Sequence, residues 1–305
     1  MTLSFDNFYN AKTSGFDSSS FTKKLIEHFR SNLIKDDLIK VPNRSSIVNY
    51  EPFYCYDAIP ALSIDLGIYV VKIGRIIENK NTSAVKTTVL VYSTLDGSLI
   101  KTFDGDFITH IKSSAITGLI TDVCSFENSK TLGIIGSGMQ ARTQIEGICA
   151  IRNITKIKIF SRSSENIRKL ISEYKARKPY IEFVECNDVI SAIKNVDIIS
   201  TATTSFKPLL SSELLESKSI HINCVGNYSS DSREIPNDIL SNSFIVVEDL
   251  DTALSEIGNS HKSATSIKKV LQNQLELKNI KTVFSSTGYA ALDLLTVHFL
   301  LQNKL

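Results

Sequence analysis

Residues 132–141, with the sequence LGIIGSGMQA, constrain the fold more than any other part of this 305-residue chain. A short apolar run leads directly into Gly136 and Gly138, and a helical pattern begins at Met139. A GxGxxA motif between a strand and a helix is typical of dinucleotide-binding domains. In such a motif Gly136 permits the tight turn, Gly138 lets a pyrophosphate approach the backbone, and Ala141 keeps the helix close to the strand. The N–H groups at the start of the helix then favour an anion.

The chain beyond residue 130 alternates short apolar runs with helical patterns. The apolar runs predict strands at 132–135, 157–161, 181–185, 196–203, 219–226 and 243–249. Helical patterns separate the first four of them, at 139–150, 164–177 and 188–195. Alternation of this kind predicts a parallel sheet with helices on both faces.

The N-terminal part of the chain has a different amino-acid pattern. Residues 41–107 are rich in β-branched and aromatic side chains, and LDG and FDGD within them are turn signals, so we predict antiparallel strands. Helical patterns occur at 21–34, at about 111–124 and at 289–303. We therefore predict an α/β protein with two domains. A Rossmann-type dinucleotide-binding domain spans 119–288, and an α+β domain for substrate binding and dimerisation combines 1–118 with 289–305.

Composition limits the classes of partner that we expect. Hydrophobic residues make up 42% of the chain and charged residues 22%, and the formal net charge is only +2. This balance favours neither a nucleic-acid partner nor a membrane. Five scattered cysteines predict reduced thiols, and the N-terminus lacks the pattern of a signal peptide, so a cytoplasmic protein is expected. The five histidines show no metal-ligand spacing, and we expect no metal.

The end of the second strand favours NADP(H) over NAD(H). NAD-binding domains place a carboxylate there to bind the ribose 2′-hydroxyl, whereas this chain has Ser161, Arg162 and Ser163, and hydroxyls with a guanidinium suit a 2′-phosphate. Ligands of open α/β sheets also lie beyond the ends of later strands. The residues predicted to bind the coenzyme are Gly136, Gly138, Met139, Gln140, Ala141, Ser161, Arg162, Ser163, Thr201, Ala202, Thr203, Val225 and Gly226.

Several motifs together resemble the ornithine cyclodeaminase/mu-crystallin family. They are DGDFITHIKSSAITGL, GIIGSGMQARTQIE, FSRS, DIISTATTS, HINCVGNYSSDSREI and VFSSTGYAALDLL, and the resemblance runs from about residue 40 to the end. It implies that the N-terminal half and the C-terminal helix form a substrate domain through which the protein forms a homodimer. It also implies hydride transfer at the α-carbon of an amino or imino acid.

The resemblance also suggests the residues that act on the substrate. Lys72 in YVVKIGRII resembles the family's lysine and is the expected proton source. Arg44 matches an arginine that holds the substrate carboxylate, and Lys112 stands where the family has a second arginine. A lysine keeps the charge but cannot form the bidentate hydrogen bonds of a guanidinium. Asp293 resembles an aspartate of the final helix, either positioning that helix or forming the wall of the active site.

Tyr228 is the most informative departure from the family pattern. Cyclodeaminases carry an aspartate at this position, and a phenol with a pKa of about 10 cannot replace a carboxylate base. Asp231 lies three residues further on. Tyr228 would instead line the substrate pocket or donate a hydrogen bond. The resemblance thus favours NADPH-dependent reduction of a cyclic or open-chain α-imino acid. NAD-dependent ornithine or lysine cyclodeamination and a non-catalytic, NADPH-bound ligand-binding protein stay open as alternatives.

Overall fold

The computed structural model describes residues 18–50, 53–79, 82–215, 219–226, 228–229 and 232–305. Among these residues the chain divides into two compact units. The first contains Glu27–Lys112 and Gly288–Leu305, and the second contains Ser19–Ile26 and Ser113–Thr287. Asp231, which the sequence analysis considers beside Tyr228, lies outside the described residues, as does most of the N-terminal segment 1–20.

The described residues form nine α-helices and fifteen strands. The helices are α1 (Ser18–Leu33), α2 (Gly105–Cys124), α3 (Met139–Ile151), α4 (Ser164–Arg177), α5 (Val189–Ile193), α6 (Asn237–Ser241), α7 (Leu250–Ile257), α8 (Ile267–Gln272) and α9 (Ala290–Gln302). The strands are β1 (Ser45–Tyr50), β2 (Phe53–Ser63), β3 (Ile68–Asn79), β4 (Thr82–Ser93), β5 (Leu99–Asp104), β6 (Thr131–Ile135), β7 (Lys156–Phe160), β8 (Glu182–Glu185), β9 (Ile198–Thr201), β10 (His221–Cys224), β11 (Tyr228–Ser229), β12 (Ser232–Arg233), β13 (Phe244–Val247), β14 (Thr265–Ser266) and β15 (Thr282–Ser285).

The first unit is built on an antiparallel sheet in the order β1-β2-β3-β4-β5. Side chains alternate between its faces, as the pleat of a strand requires. Along β3, Val70 and Lys72 are buried, whereas Tyr69 and Ile73 are exposed. The C-terminal helix α9 packs against β2 and β3 and is apolar around almost its whole circumference. Lys72 therefore shares the buried face of β3 with apolar neighbours.

Helix α2 begins six residues earlier than the sequence pattern indicates. The sequence predicts a turn at FDGD and a helix from about residue 111, but the helix begins at Gly105. Asp104 accepts a hydrogen bond from the backbone N–H of Phe107 at 2.8 Å and so satisfies one donor of the first turn. The predicted turn is wrong because an Asp-Gly pair also suits the start of a helix. Lys112 consequently lies two turns inside α2.

The second unit contains a parallel sheet in the order β14-β13-β15-β10-β9-β6-β7-β8. The chain runs from β6 through β7 to β8 on one side, and then returns to β9 on the other side of β6. This reversal creates a topological switch point at the carboxyl ends of β6 and β9, where ligands of such sheets bind. The predicted fold class is confirmed. The sequence analysis predicts neither β14 nor β15, and β14 has only two residues.

Apolar clusters cover both faces of the parallel sheet. Ile134 and Ile198 belong to one cluster, and their neighbours Ile135 and Ile199 belong to the other. Adjacent residues of a strand point to opposite faces, so the two clusters lie on opposite sides. Residues of α3 and α4 complete the first cluster, and residues of α6 and α7 complete the second. Of the helices that the structure describes, none has the length and apolar character needed to cross a membrane.

Candidate active site

Lys72 and Asp293 form a buried ion pair in the first unit. Lys72 lies in the middle of β3, and its Nζ lies 3.2 Å from each carboxylate oxygen of Asp293 in α9. The exposed fraction of the Lys72 side chain is 11%, and that of the Asp293 side chain is 3%. The packing of α9 on β3 brings together two residues that are 221 positions apart in the chain.

Lys112 joins the same carboxylate from a third element. Its Nζ in α2 lies 2.9 and 3.0 Å from the two oxygens of Asp293, and its side chain is only 6% exposed. Two ammonium groups thus share one carboxylate, which leaves a surplus of one positive charge in a largely dry environment. Such a surplus suits the carboxylate of an incoming anionic ligand, because a buried charge is costly unless it is paired. We call Lys72, Lys112 and Asp293 the buried charge cluster.

The proton affinity of Lys72 differs from that of an ordinary lysine. The pKa of Lys72 is lowered to about 8: burial lowers it because the charged form loses its hydration, Asp293 opposes this effect, and the neighbouring Lys112 adds to it. For Asp293, burial alone raises the pKa, but the two ammonium groups outweigh it and hold the pKa below its ordinary value. A lysine with a pKa near 8 can give up its proton close to neutral pH.

The structure does not place Arg44 in the buried charge cluster. Arg44 is exposed and immediately precedes Ser45, which pairs with Ala58 of β2. Arg44 is therefore level with Ile59, whose partner on β3 is Lys72. Two strand spacings, about 10 Å, separate the backbones of Arg44 and Lys72. The side chain of Tyr228, the remaining residue predicted to bind the substrate, lies outside the described part of the structure.

The glycine motif of the second unit has the geometry of an anion site. Gly136 has a φ of +117°, and a side chain there would collide with the carbonyl oxygen of Ala202. Gly138 precedes α3, no side chain caps the helix there, and nothing lies within 4 Å of the position that a Cβ would occupy. Met139 and Gln140 begin α3 and are half-buried, and Ala141 is fully buried. The first N–H groups of α3 therefore have room for a phosphate.

Arg142 stabilises this loop through hydrogen bonds, a role that the sequence analysis does not predict. Its Nη1 donates hydrogen bonds to the carbonyl oxygens of Ser137 and Gly138 at 2.9 and 3.2 Å, and Glu173 pairs with its guanidinium at 2.6 Å. In a trans peptide the N–H points away from the preceding C=O. Because Arg142 binds these carbonyl oxygens, the N–H groups that follow them point away from Arg142. The arginine of QARTQ is the sequence signal for this contact.

The end of β7 presents the residues expected near a 2′-phosphate. The hydroxyl of Ser137 donates to that of Ser161 at 2.9 Å, which joins the glycine loop to this strand end. Arg162 is exposed. Ser163 caps α4 by accepting a hydrogen bond from the backbone N–H of Asn166 at 3.2 Å, so its hydroxyl already has a structural role. The nearest carboxylate in the sequence, Glu165, is exposed in the first turn of α4.

The ends of β9 and β10 converge on Glu234, which the sequence analysis did not select. Its carboxylate accepts hydrogen bonds from the hydroxyl of Thr201 at 2.8 Å, from the backbone N–H of Thr203 at 2.7 Å and from that of Gly226 at 3.0 Å. Ala202 and Val225 lie between these donors in the chain. The glutamate of the SREI motif is the sequence signal. It follows β10 by ten residues, however, and nothing in the sequence shows that its side chain lies beside the ends of β9 and β10.

Comparison with known proteins decides the family. The family model described as "Ornithine cyclodeaminase/mu-crystallin family" matches residues 23–304. The chain belongs to this family. It is 28% identical over 258 residues to the Delta(1)-pyrroline-2-carboxylate reductase of Bacillus cereus, covering 78% of this chain and 77% of that protein. It is 30% identical over 215 residues to the ketimine reductase mu-crystallin of Macropus fuliginosus, covering 68% of this chain and 66% of that protein.

A solved structure has the same fold over the whole chain. The Delta(1)-pyrroline-2-carboxylate reductase of Thermococcus litoralis, in complex with NADH and L-proline, superposes with a TM-score of 0.86 at 23% identity. The match covers 100% of this chain and 99% of that one. The prediction of the family is confirmed. The curated relatives are reductases, and they confirm the prediction of an oxidoreductase.

Proposed function

We propose that this protein is an NADPH-dependent reductase of cyclic or open-chain α-imino acids. The buried charge cluster carries the proposal, because it combines a proton donor with a surplus positive charge in a nearly dry site. The names of the relatives, pyrroline-2-carboxylate reductase and ketimine reductase, support an imine as the substrate. The glycine motif and the strand ends of the second unit support a dinucleotide as the coenzyme.

The buried charge cluster has two tasks in this proposal. The surplus charge attracts the carboxylate of the substrate, and the low local dielectric strengthens that attraction. Lys112 acts as a point charge held by Asp293, so the carboxylate is bound without the two-pronged geometry of an arginine. Lys72 delivers a proton to the imine nitrogen, which its pKa of about 8 allows near neutral pH. Arg44 supplies further positive charge at the sheet.

The residues of the second unit fit the coenzyme. The open N-terminus of α3 at Gly138 would hold the pyrophosphate, and Arg162 would hold the 2′-phosphate. Thr201, Thr203 and Gly226 would line the nicotinamide half. Reduced nicotinamide, when bound there, supplies the hydride that the imine carbon accepts. The chain itself contributes orientation, exclusion of water and the proton.

The direct test measures oxidation of NADPH with a panel of imines. Pyrroline-2-carboxylate, piperideine-2-carboxylate and pyruvate mixed with amines cover cyclic and open-chain substrates. We expect NADPH to be consumed with at least one of them and a matching amino acid to form. Release of ammonia from ornithine or lysine would instead indicate a cyclodeaminase. Tight NADPH binding without turnover of any imine would indicate a non-catalytic ligand-binding protein.

Exchange of Arg162 for serine is expected to reduce the preference for NADPH. The KM for NADPH should rise about 10- to 100-fold, since a charge-assisted hydrogen bond to the 2′-phosphate is lost, while the KM for NADH stays nearly unchanged. Steady-state kinetics with both coenzymes measure the ratio. Arg168→Ser, which removes an exposed arginine of α4, is the matched control. Equal changes for both coenzymes would argue against a 2′-phosphate at Arg162.

We also propose that the open face of the antiparallel sheet is the interface of a homodimer. Strand register places large apolar side chains on this face, opposite α9, and they are unusually exposed for a lone chain. They include Ile47, Tyr56, Tyr69, Ile73 and Leu99. The family resemblance implies a homodimer formed through the same domain.

A lysine at the centre of this face is expected to prevent dimerisation. Ile73 is 43% exposed in the central strand β3. In a dimer, Ile73→Lys would bury an unpaired charge in each subunit, so we expect the mass measured by light scattering to fall from two chains to one. Ile190→Lys, at a 53% exposed position of α5, should leave the mass unchanged. A wild-type protein that is monomeric at micromolar concentration would contradict the proposal.

A further inference from the structure

Glu234 is a fully buried carboxylate that accepts hydrogen bonds from neutral donors in two adjacent strand ends. Its Oε1 accepts from the backbone N–H and the hydroxyl of Thr203 at 2.7 and 2.6 Å. Its Oε2 accepts from the Thr201 hydroxyl at 2.8 Å, the Gly226 N–H at 3.0 Å and the Cys224 thiol at 3.5 Å. The residue is 0% exposed. One side chain therefore binds the carboxyl ends of both β9 and β10.

This arrangement suits an ionised carboxylate. Two carboxylate oxygens offer about four lone-pair positions, and five donors point at them. A proton on Glu234 would displace one of these donors, and the two backbone N–H groups cannot turn to accept it. Burial raises the pKa of Glu234, while the hydrogen bonds from Thr203 and Thr201 oppose that rise. The net pKa of Glu234 stays above its ordinary value, so the donors offset part of the cost of a buried charge.

Close backbone contacts connect this centre to the glycine motif. A Cβ on Gly226 would collide with the carboxylate of Glu234 and with the carbonyl oxygen of Thr203. A Cβ on Gly136 would collide with the carbonyl oxygen of Ala202, which lies between the two threonines. The ends of β6, β9 and β10 therefore fit against one another with no space for side chains at the glycines. Displacement of Glu234 would loosen all three strand ends at the switch point.

We propose that Glu234 is a positioning residue that holds the ends of β9 and β10 as one rigid edge for the nicotinamide half of the coenzyme. The inference rests on the proposed coenzyme and deepens it. The adenosine half would be held elsewhere, by the end of β7 and the start of α3. Glu234 should therefore influence one half of the dinucleotide and leave the other half unaffected.

Glutamine is the most informative replacement because it keeps the size of the side chain. Its amide oxygen can still accept from Thr203, but its NH₂ group would then face the N–H of Gly226, and two donors would oppose each other. The edge of β10 would have to move. An aspartate would keep the charge but is one methylene too short to bridge Thr203 and Gly226.

The test compares binding of NADPH with binding of adenosine 2′,5′-bisphosphate, a fragment that lacks the nicotinamide half. Calorimetry on the full chain gives both dissociation constants. For Glu234→Gln we expect at least a tenfold loss of NADPH affinity, the effect of an opposed hydrogen bond to a charged group, with fragment affinity within about twofold of wild type. Equal loss for both ligands would overturn the inference. So would a wild-type protein that binds NADPH no more tightly than the fragment.

Two further variants keep the test decisive. Thr201→Val removes one donor at constant shape, and if Glu234→Gln does not fold, this variant should still lose about fivefold in NADPH affinity alone. Glu146→Gln is the matched control, because Glu146 is buried in the same unit but pairs with Arg177 at 2.6 Å. It should lower thermal stability without changing the ratio of NADPH to fragment affinity. A changed ratio in the control, or an unchanged one in Thr201→Val, would overturn the inference.

These measurements separate the inference from the proposed function. If no imine is reduced but Glu234→Gln still weakens NADPH selectively, the proposed reaction fails and the inference stands. If imines are reduced and the variant binds both ligands as wild type does, the inference alone fails.

Discussion

Replacement of Lys72 by alanine is expected to lower the rate of imine reduction by about 100- to 10,000-fold, the usual effect of losing a general acid. Lys72 is the buried ammonium whose pKa is about 8, and it lies 3.2 Å from the carboxylate that orients it. Rapid-quench or steady-state kinetics with NADPH and the best imine of the panel measure the loss. NADPH binding should be unchanged, because the residue belongs to the first unit.

Two companion variants separate proton transfer from charge. Lys72→Arg keeps a positive charge but cannot release a proton, so it should be nearly as slow as the alanine variant. Lys101→Ala removes an exposed lysine of β5 in the same sheet and should be as active as wild type. Recovery of most activity by arginine would show that Lys72 acts through charge alone.

The pH dependence of the reaction should report the same proton. Only the protonated form of Lys72 can donate, so the wild-type rate constant should fall about tenfold per pH unit above its pKa of about 8. The residual activity of Lys72→Ala should lack this fall. A wild-type profile that is flat from pH 7 to 10 would contradict the assignment.

Exchange of Asp293 for asparagine is expected to cost about 3–5 kcal/mol of the free energy of unfolding at pH 7, because two buried ammonium groups then lose their counter-charge. Asp293 is 2% exposed, so solvent gives little relief. Urea unfolding followed by circular dichroism measures the loss. Asp251→Asn, an exposed aspartate of α7, is the matched control and should unfold as wild type does.

The sign of the pH effect makes this prediction specific. Without Asp293, the folded-state pKa of Lys72 should fall further below its unfolded value of about 10.4, because the carboxylate that raises it is gone. Between those values the unfolded chain binds more protons than the folded chain, so the free energy of unfolding rises with pH. The variant should therefore regain part of its stability between pH 7 and 10. A loss that is constant over this range would show that the defect is not electrostatic.

Local sequence was sufficient for the nucleotide-binding part of the fold. The turn at Gly136, the start of α3 after Gly138 and the parallel sheet follow from a motif of ten residues and from the order of strands and helices. Such features depend on neighbours in the chain, which periodicity and turn chemistry reveal. Local sequence is ambiguous at the start of α2, since an Asp-Gly pair is compatible with both a turn and a helix start, and the prediction of a turn there is wrong.

The chain by itself determined the fold class, the family and the identity of Lys72 and Lys112 as candidates. Only the tertiary structure decided that both lysines share Asp293, that Arg44 is outside their cluster and that Glu234 joins two strand ends. Their partners lie between 8 and 221 positions away in the sequence. A charge acquires its pairing and its pKa from the groups that packing brings within a few ångströms, and those groups have no fixed spacing along the chain.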